Sequence, residues 1–369
     1  MFGCWNNGIC DLDNPASNGM SAVFSSLMGS DFDPEFYIVA GDNYYPTTVR
    51  LEGGGKKKKR KHLDVAALTS GFTCLMNLSN RRRDTPVYLL MGNHDLKEEH
   101  DFGEDQECNI VKLQLESIQG TSIDARTSVI LRGDTVFVFL DTNLYEGGSD
   151  VKYARCELTY RDKTRELGDL PRSEIIQRII AEVEREIKEA IQDIVNSDVL
   201  INNVFVVGHH PILGSKEKLD DETMTTIPKI QRIDSHGATF IARDIYSLFP
   251  GAVPYYLCAD IHQFQRGEIS IEGFEKPIHQ YIVGTGGAEL DEYLPIPGTI
   301  NRNGPLQYTY LDGISANGYL NIQRKGKGYK LRFVVAGEEK VSSEERKSSP
   351  VPDRGSPASD RGSPASDRG

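Results

Sequence analysis

The chain has little of what marks several common protein classes. Its 369 residues include six cysteines, at positions 4, 10, 74, 108, 156 and 258, spread singly and without a C-x-x-C pair. That spacing suits neither a zinc knuckle nor a dense disulfide framework, and free thiols in a reducing compartment are the expected state. No run approaches the ~20 consecutive apolar residues of a membrane span, so no membrane partner is expected. The opening MFGCWNNGIC lacks the basic and apolar segments of a secretory signal. These absences together lead to the expectation of an intracellular, cytoplasmic protein. An excess of basic charge is missing too. The formal net charge of −12 argues against bulk nucleic-acid binding, because a phosphate backbone attracts basic surfaces. It does not exclude an anionic substrate, since bound cations supply local positive charge whatever the total. Tryptophan occurs once, but 16 Tyr and 14 Phe leave ample material for a core.

Short apolar runs recur at 36–40, 87–91, 136–140, 204–207, 255–258 and 281–283. Runs of this length, bounded by Gly, Asn or Asp, read as buried strands. Between them the spacing predicts one long helix over 173–195. Ile175, Ile176, Ile179, Ile180, Val183, Ile187, Ala190, Ile191 and Ile194 form a single stripe on it, read as packing surface. Ser173 is its expected N-cap, and Glu184 with Lys188 an expected i,i+4 ion pair. Strands alternating with helical segments predict an α/β layered domain. A strand pair joined by a turn at 325–327 closes it.

Two segments stand outside this pattern. Residues 52–62, EGGGKKKKRKH, form a glycine-flanked basic run read as a solvated loop insert. The alternative for Lys56 to Lys61 is a nuclear-import signal or an anionic contact. From about Val341 the chain is rich in Ser, Pro, Asp and Arg and ends in a seven-residue repeat, DRGSPAS. It is too polar to bury a core, so 341–369 is expected to be disordered and 1–340 to form one domain.

What carries chemistry is the position of polar residues at the ends of the apolar runs. One run ends in Gly41-Asp42-Asn43-Tyr44-Tyr45, a second in Gly92-Asn93-His94-Asp95. A third ends in Gly208-His209-His210-Pro211 and a fourth in Ala259-Asp260-Ile261-His262. Ligands of α/β sheets bind at the carboxyl ends of strands, so these four clusters are expected to converge on one edge. Asp and Asn oxygens combined with imidazoles suit iron, zinc or manganese better than calcium. Two such cations ~3.5–4 Å apart clamp an in-line phosphoryl displacement and lower the pKa of a bound water. A carboxylate such as Asp42 can bridge them, and a nearby histidine can protonate the leaving alkoxide.

The ordered set GDNYY, GNHD, GHHP and ADIHQFQ resembles the motifs of calcineurin-like metallophosphoesterases. Within them it is most similar to the purple acid phosphatases, including the tartrate-resistant type, whose signature is G-D-x-x-Y. Leu140-Asp141-Thr142 and Gly284-Thr285-Gly286-Gly287 also resemble stretches of that branch, and the similarity covers roughly residues 2–290. The resemblance implies a four-layer αββα sandwich of two mixed β-sheets flanked by helices. It also implies two divalent or trivalent metal ions, an iron with a second iron, zinc or manganese. One ion would be held by Asp42, Tyr45 and His262, the other by Asp42, Asn93 and His209. His94 and His210 would lie in the outer shell, contacting phosphate and protonating the leaving group. The expected partner is a phosphate ester, either a small molecule or a phosphoprotein.

Two ligand positions depart from the pattern. Gly3-Cys4-Trp5-Asn6 stands where the family has G-D-x-G, so Cys4 replaces an aspartate. Ala259-Asp260-Ile261-His262 stands for G-H-x-H, so Asp260 replaces a histidine. Both substitutes bind metals, and thiolate is the softer ligand, biasing its site toward zinc. Only two residues precede Gly3, so the strand leading into this motif is either curtailed or starts upstream. The leading expectation is phosphomonoester hydrolysis. The alternatives are a phosphodiesterase on the same fold, and a catalytically impaired relative that binds phosphate or a protein. His100, His236 and His279 read as surface or structural residues. Cys10, Cys74, Cys108 and Cys156 read as buried or incidental thiols, and Cys258 as core.

Overall fold

Along Thr135–Phe139, Val136 and Val138 enter one hydrophobic core while Phe137 and Phe139 enter another. Side chains of a strand alternate between faces, so a strand apolar throughout must be covered on both sides. The same division runs through the molecule and fixes its layers. The computed structural model describes residues 1–50, 59–81, 84–96, 108–126, 128–146, 153–219 and 226–337.

The strands among these residues are, in chain order, β1 (Tyr37–Ala40), β2 (Thr47–Arg50), β3 (Lys59–His62), β4 (Val87–Leu90), β5 (Ile123–Asp124), β6 (Ser128–Arg132), β7 (Thr135–Phe139) and β8 (Asn203–Val207). They continue as β9 (Leu213–Leu219), β10 (Thr226–Arg232), β11 (Val253–Cys258), β12 (Phe264–Ile271), β13 (Phe274–Val283), β14 (Ile300–Asn303), β15 (Leu306–Ile314), β16 (Gly318–Lys325) and β17 (Gly328–Val335). One sheet has the order β1-β4-β5; the larger runs β14-β15-β12-β13-β11-β8-β7-β6. In the larger sheet β7, β8, β11 and β13 are parallel and the outer pairs antiparallel. This is the mixed α/β architecture expected.

Ile38, Ala40 and Leu90 of the small sheet meet Phe137, Phe139, Phe205, Val207 and Leu257 of the large one in the central core. Each large side chain buried there contributes about 1.5–3 kcal/mol. On the outer face of the small sheet, Val39, Val87 and Leu89 pack against the helices Gly19–Gly29, Val65–Asn80 and Asn109–Ile118. Beyond the large sheet lie Arg172–Val195 and the helical stretch from Ser235 to Leu248. The hairpin β16–β17 joins the inner layer, with Leu320 in the central core and the half-buried Leu331 and Phe333 packed against it. The sequence therefore builds helix, sheet, sheet and helix in succession.

Several expectations need correction. The long helix begins at Arg172 with Pro171 at its cap and no side-chain cap bond, so Ser173 lies inside its first turn. Its apolar stripe is buried as expected through Ile175, Ile176, Ile179, Val183, Ile187 and Ile191. Glu184 does not pair with Lys188. It accepts from His236 at 2.7 Å and Tyr145 at 3.2 Å, while Lys188 turns to Asp244 at 3.3 Å. A neighbouring element offers both ends better partners than the helix itself. In the basic insert, Lys59–His62 is not loop: it pairs antiparallel with Thr47–Arg50. Residues 51–58, His100 and the tail from 338 lie outside the described residues.

The free-thiol expectation fails for four cysteines. Cys10 is bonded to Cys74 and Cys108 to Cys156, across sequence separations of 64 and 48. Packing of the first loop on Val65–Asn80, and of Asn109–Ile118 on Ala154–Tyr160, brings their Cα atoms to 6.5 and 5.1 Å. Cys4 and Cys258 are free and buried. Among the described residues no helix is long and apolar enough to cross a membrane.

Candidate metal centre

The four polar clusters follow β1, β4, β8 and β11, and residues 2–4 draw the two sheets together beside them. Phe2 makes a single parallel bridge to Val39. Gly3 donates to the carbonyl of Val283 at 3.0 Å and Cys4 to that of Gly41 at 2.9 Å. The approach of these loops leaves no room for side chains. A Cβ on Gly41 would lie 2.6 Å from His209 Nδ1, and one on Gly92 would lie 2.3 Å from Asp42 Oδ1. Cys4, Asp42 and Asp260 hold positive φ of 54°, 51° and 60°. Residues other than glycine avoid that region, and such outliers gather at functional sites.

Asp42 stands at the centre with its two oxygens turned to different donor sets. Its Oδ2 accepts from the Tyr45 hydroxyl at 2.7 Å and faces Cys4 Sγ at 4.0 Å. Its Oδ1 accepts from the His94 backbone N–H at 3.0 Å and lies 3.3 Å from His209 Nε2. The Tyr45 hydroxyl also sits 3.0 Å from His262 Nε2. Backbone carbonyls orient both imidazoles. His209 Nδ1 faces Ala40 O at 2.7 Å and His262 Nδ1 faces Glu289 O at 2.7 Å. A carbonyl only accepts, so each Nδ1 carries a proton, which leaves each Nε2 as the nitrogen that would turn a lone pair to a bound cation.

The donor set fits cations of the transition series. Asn93 Oδ1, His209 Nε2 and His210 Nε2 are buried with no hydrogen-bond partner among the described residues. Leaving such an atom unsatisfied costs about 1–3 kcal/mol, a cost that coordination would remove at Asn93 Oδ1 and His209 Nε2. Donor atoms of Cys4, Asp42 and His262 lie within 4.8 Å of one another, as do those of His209, His210 and Asp260. Carboxylate, imidazole, amide, phenol and thiol together suit iron, zinc or manganese. Beside them opens a cleft of ≈ 520 Å³, lined by Tyr45, His94, His262, Glu217, Asp291 and Tyr293 among others.

Burial opposes charge on Asp42, but His209, His94 and the hydrogen bonds from His94 N–H and Tyr45 outweigh it, holding the carboxyl well below the usual range. Burial and the Asp42 charge push the Cys4 thiol and Tyr45 phenol well above theirs. Either group must therefore give up a proton to ligate. Burial lowers His209, but Asp42 and Asp260 raise it further; burial and the neighbouring His209 lower His210.

All nine residues singled out from the sequence, Cys4, Asp42, Tyr45, Asn93, His94, His209, His210, Asp260 and His262, lie in this one region. Asp260 stands with His209 and His210, while Cys4 stands with Asp42 and His262. Three further residues carry weight that sequence reasoning missed. The Asp95 carboxylate accepts from Gly92 N, Asn43 N, Asn43 Nδ2 and Gln114 Nε2 at 2.7–3.0 Å, tying two motif loops together. Burial and the Asp42 charge push it up to about 7, against the pull of those donors. Thr142 Oγ1 accepts from the backbone N–H groups of His209 and His210, both at 2.9 Å. Glu146 Oε2, held by Tyr153 at 2.6 Å, lies 3.7 Å from His210 Nε2. The motif string GNHD contained Asp95 and the run Leu140-Asp141-Thr142 contained Thr142; Glu146 had no sequence signal.

No curated protein matches this chain. A solved structure described as "Structure of PhoD" is similar with a TM-score of 0.37 and 11% sequence identity. The match covers 84% of this chain, which spans 65% of that structure's length. The family profile described as calcineurin-like phosphoesterase matches residues 18–264, a span that holds every strand-end cluster except the Cys4 turn. The chain belongs to the calcineurin-like phosphoesterase family.

Proposed function

We propose that the protein hydrolyses phosphomonoesters at a dinuclear metal centre of the purple acid phosphatase kind. The observation that carries this is Asp42, whose Oδ2 faces Tyr45 and whose Oδ1 faces His209. A carboxylate so divided is suited to bridge two cations, one held with Tyr45, His262 and Cys4, the other with Asn93, His209 and Asp260. When bound, the ions supply Lewis-acid charge stabilisation and a nucleophile at neutral pH. The chain's own residues do the rest. Asp42 keeps its charge under burial, so it neutralises cations without first losing a proton. His94 lines the cleft beside Tyr45, their rings 4.7 Å apart, where it can hand a proton to a leaving oxygen. The acidic cleft wall, Glu217 and Asp291 with Lys216 tied to Asp291 at 2.9 Å, favours leaving groups without further negative charge. The purple type is supported by Tyr45; a diesterase on the same fold remains the second enzymatic reading.

A non-catalytic, phosphate-binding role is favoured by one observation, the buried Cys4 thiol where a carboxylate is expected, which burial and the Asp42 charge push up. Asp42→Asn tests both readings. Loss of both metal equivalents and of most turnover is expected, because each ion shares that carboxylate. Full metal content and turnover in the variant would end the dinuclear assignment, and a metal-replete wild type without turnover would favour phosphate binding.

A further inference from the structure

His209 and His210 are adjacent, buried, and tied to the same threonine, yet their surroundings demand opposite protonation patterns. His209 Nδ1 faces the Ala40 carbonyl at 2.7 Å, so that nitrogen bears a proton and Nε2 is the one left to face a cation. His210 Nδ1 instead faces Thr142 Oγ1 at 3.3 Å. A hydroxyl has two lone pairs and one proton. Both lone pairs of Thr142 are taken by the N–H groups of His209 and His210 at 2.9 Å. Only its proton is left for the His210 ring, so Nδ1 must accept and Nε2 must carry the hydrogen. That Nε2–H is buried and has no hydrogen-bond partner among the described residues; the Glu146 carboxylate at 3.7 Å is beyond reach. Tyr256 donates to the His210 carbonyl at 2.7 Å and fixes the backbone behind the ring.

We infer that Thr142 is a positioning residue that locks the two histidines in opposite tautomers, His209 presenting a lone pair to a cation and His210 presenting an N–H to a phosphate oxygen. The inference rests on the phosphoesterase reading for its ligand but not for its tautomers. It gives the run Leu140-Asp141-Thr142 a task. It also separates His210 from His209 and Asp260, whose nearby donors would otherwise place all three on one metal. A lone pair attracts a cation and a buried N–H attracts an anion, so one Thr hydroxyl decides which of two neighbouring rings does which.

The test uses the full chain with 15N-labelled histidine, His210→Ala serving to assign signals. Expected in the zinc-loaded wild type are a pyridine-like Nδ1 and protonated Nε2 for His210, and for His209 a protonated Nδ1 with Nε2 on the cation. In manganese-loaded protein, His210→Ala should keep both metal equivalents while binding inorganic phosphate about 10-fold or more weakly, the scale of a hydrogen bond to a charged group. Thr142→Val should weaken phosphate similarly, and Thr142→Ser should restore it to within about twofold, since the hydroxyl returns. Thr142→Val leaves two backbone N–H groups unpaired and could fail to fold; the wild-type spectrum decides the tautomers without it. A protonated Nδ1 on His210, the loss of one metal equivalent in His210→Ala, or unchanged phosphate affinity in that variant would each overturn the proposal. A wild type that takes up no metal would overturn the phosphoesterase reading and with it the phosphate role, an outcome distinct from a wrong tautomer.

Discussion

The Tyr45 phenol donates to Asp42 Oδ2 at 2.7 Å while standing 3.0 Å from His262 Nε2. It therefore occupies the point where a phenolate would join a carboxylate and an imidazole on one cation. Burial and the Asp42 charge keep it protonated in the metal-free protein, so only a strongly polarising ion can take the proton's place. Iron-loaded protein should show an intense phenolate-to-ferric visible band, and Tyr45→Phe should abolish it. Metal content should be measured alongside, because the variant retains Asp42 and His262. A coloured Tyr45→Phe protein would remove Tyr45 from the ligand set.

His94 is held through its backbone N–H on Asp42 while its ring lines the open cleft. A proton donor matters most for a poor leaving group. His94→Ala should slow alkyl phosphates by about 100-fold or more and leave aryl phosphates nearly unchanged, since general acids contribute roughly 10²–10⁴-fold. Equal losses on both substrates, measured as kcat, would leave His94 with phosphate binding alone.

The two disulfides make a prediction that the even scatter of cysteines did not. Denatured, unreduced protein should take up two alkyl groups, at Cys4 and Cys258, and reduced protein six, by mass spectrometry. Chain-entropy arguments give each bond, closing 64 or 48 residues, about 4 kcal/mol as an upper figure. Cys108→Ser with Cys156→Ser should accordingly lower Tm by several degrees or more. Uptake of six groups without reductant would restore the free-thiol expectation.

These contrasts show what the sequence could and could not tell. Asp42, Asn93, His209 and Asp260 were legible because each follows an apolar run at a fixed offset, and strand ends converge by the geometry of a sheet. The Ile175–Ile191 stripe was legible for the same reason, a local period. Cys10 with Cys74, Glu184 with His236 and Glu146 beside His210 were not, because each depends on which distant element packs alongside. Thr142 was visible as part of a resemblance, but its use is a count of lone pairs, and that count needs coordinates.

Cys4 is the departure on which the identity of the metals turns. It is fully buried, faces Asp42 Oδ2 at 4.0 Å, and holds a φ of 54°. That conformation is tolerated better by aspartate than by cysteine, so Cys4→Asp relieves the backbone while adding a negative charge beside Asp42 and Asp260. Without metal the added charge has no partner, and the variant should be less stable than wild type by about 0.5–3 kcal/mol. With metal the order should reverse, because a cation converts the repulsion into ligation. Replacing soft sulfur by hard oxygen should also shift preference from zinc toward manganese or iron by about 10-fold or more, the scale on which even changes outside the ligand set act. Thermal unfolding with and without each ion, and competition between zinc and manganese followed by metal analysis, check both parts. If the variant matches wild type in metal preference and in the stability gained on loading, sulfur is not a ligand. The cation then rests on Asp42, Tyr45 and His262 alone.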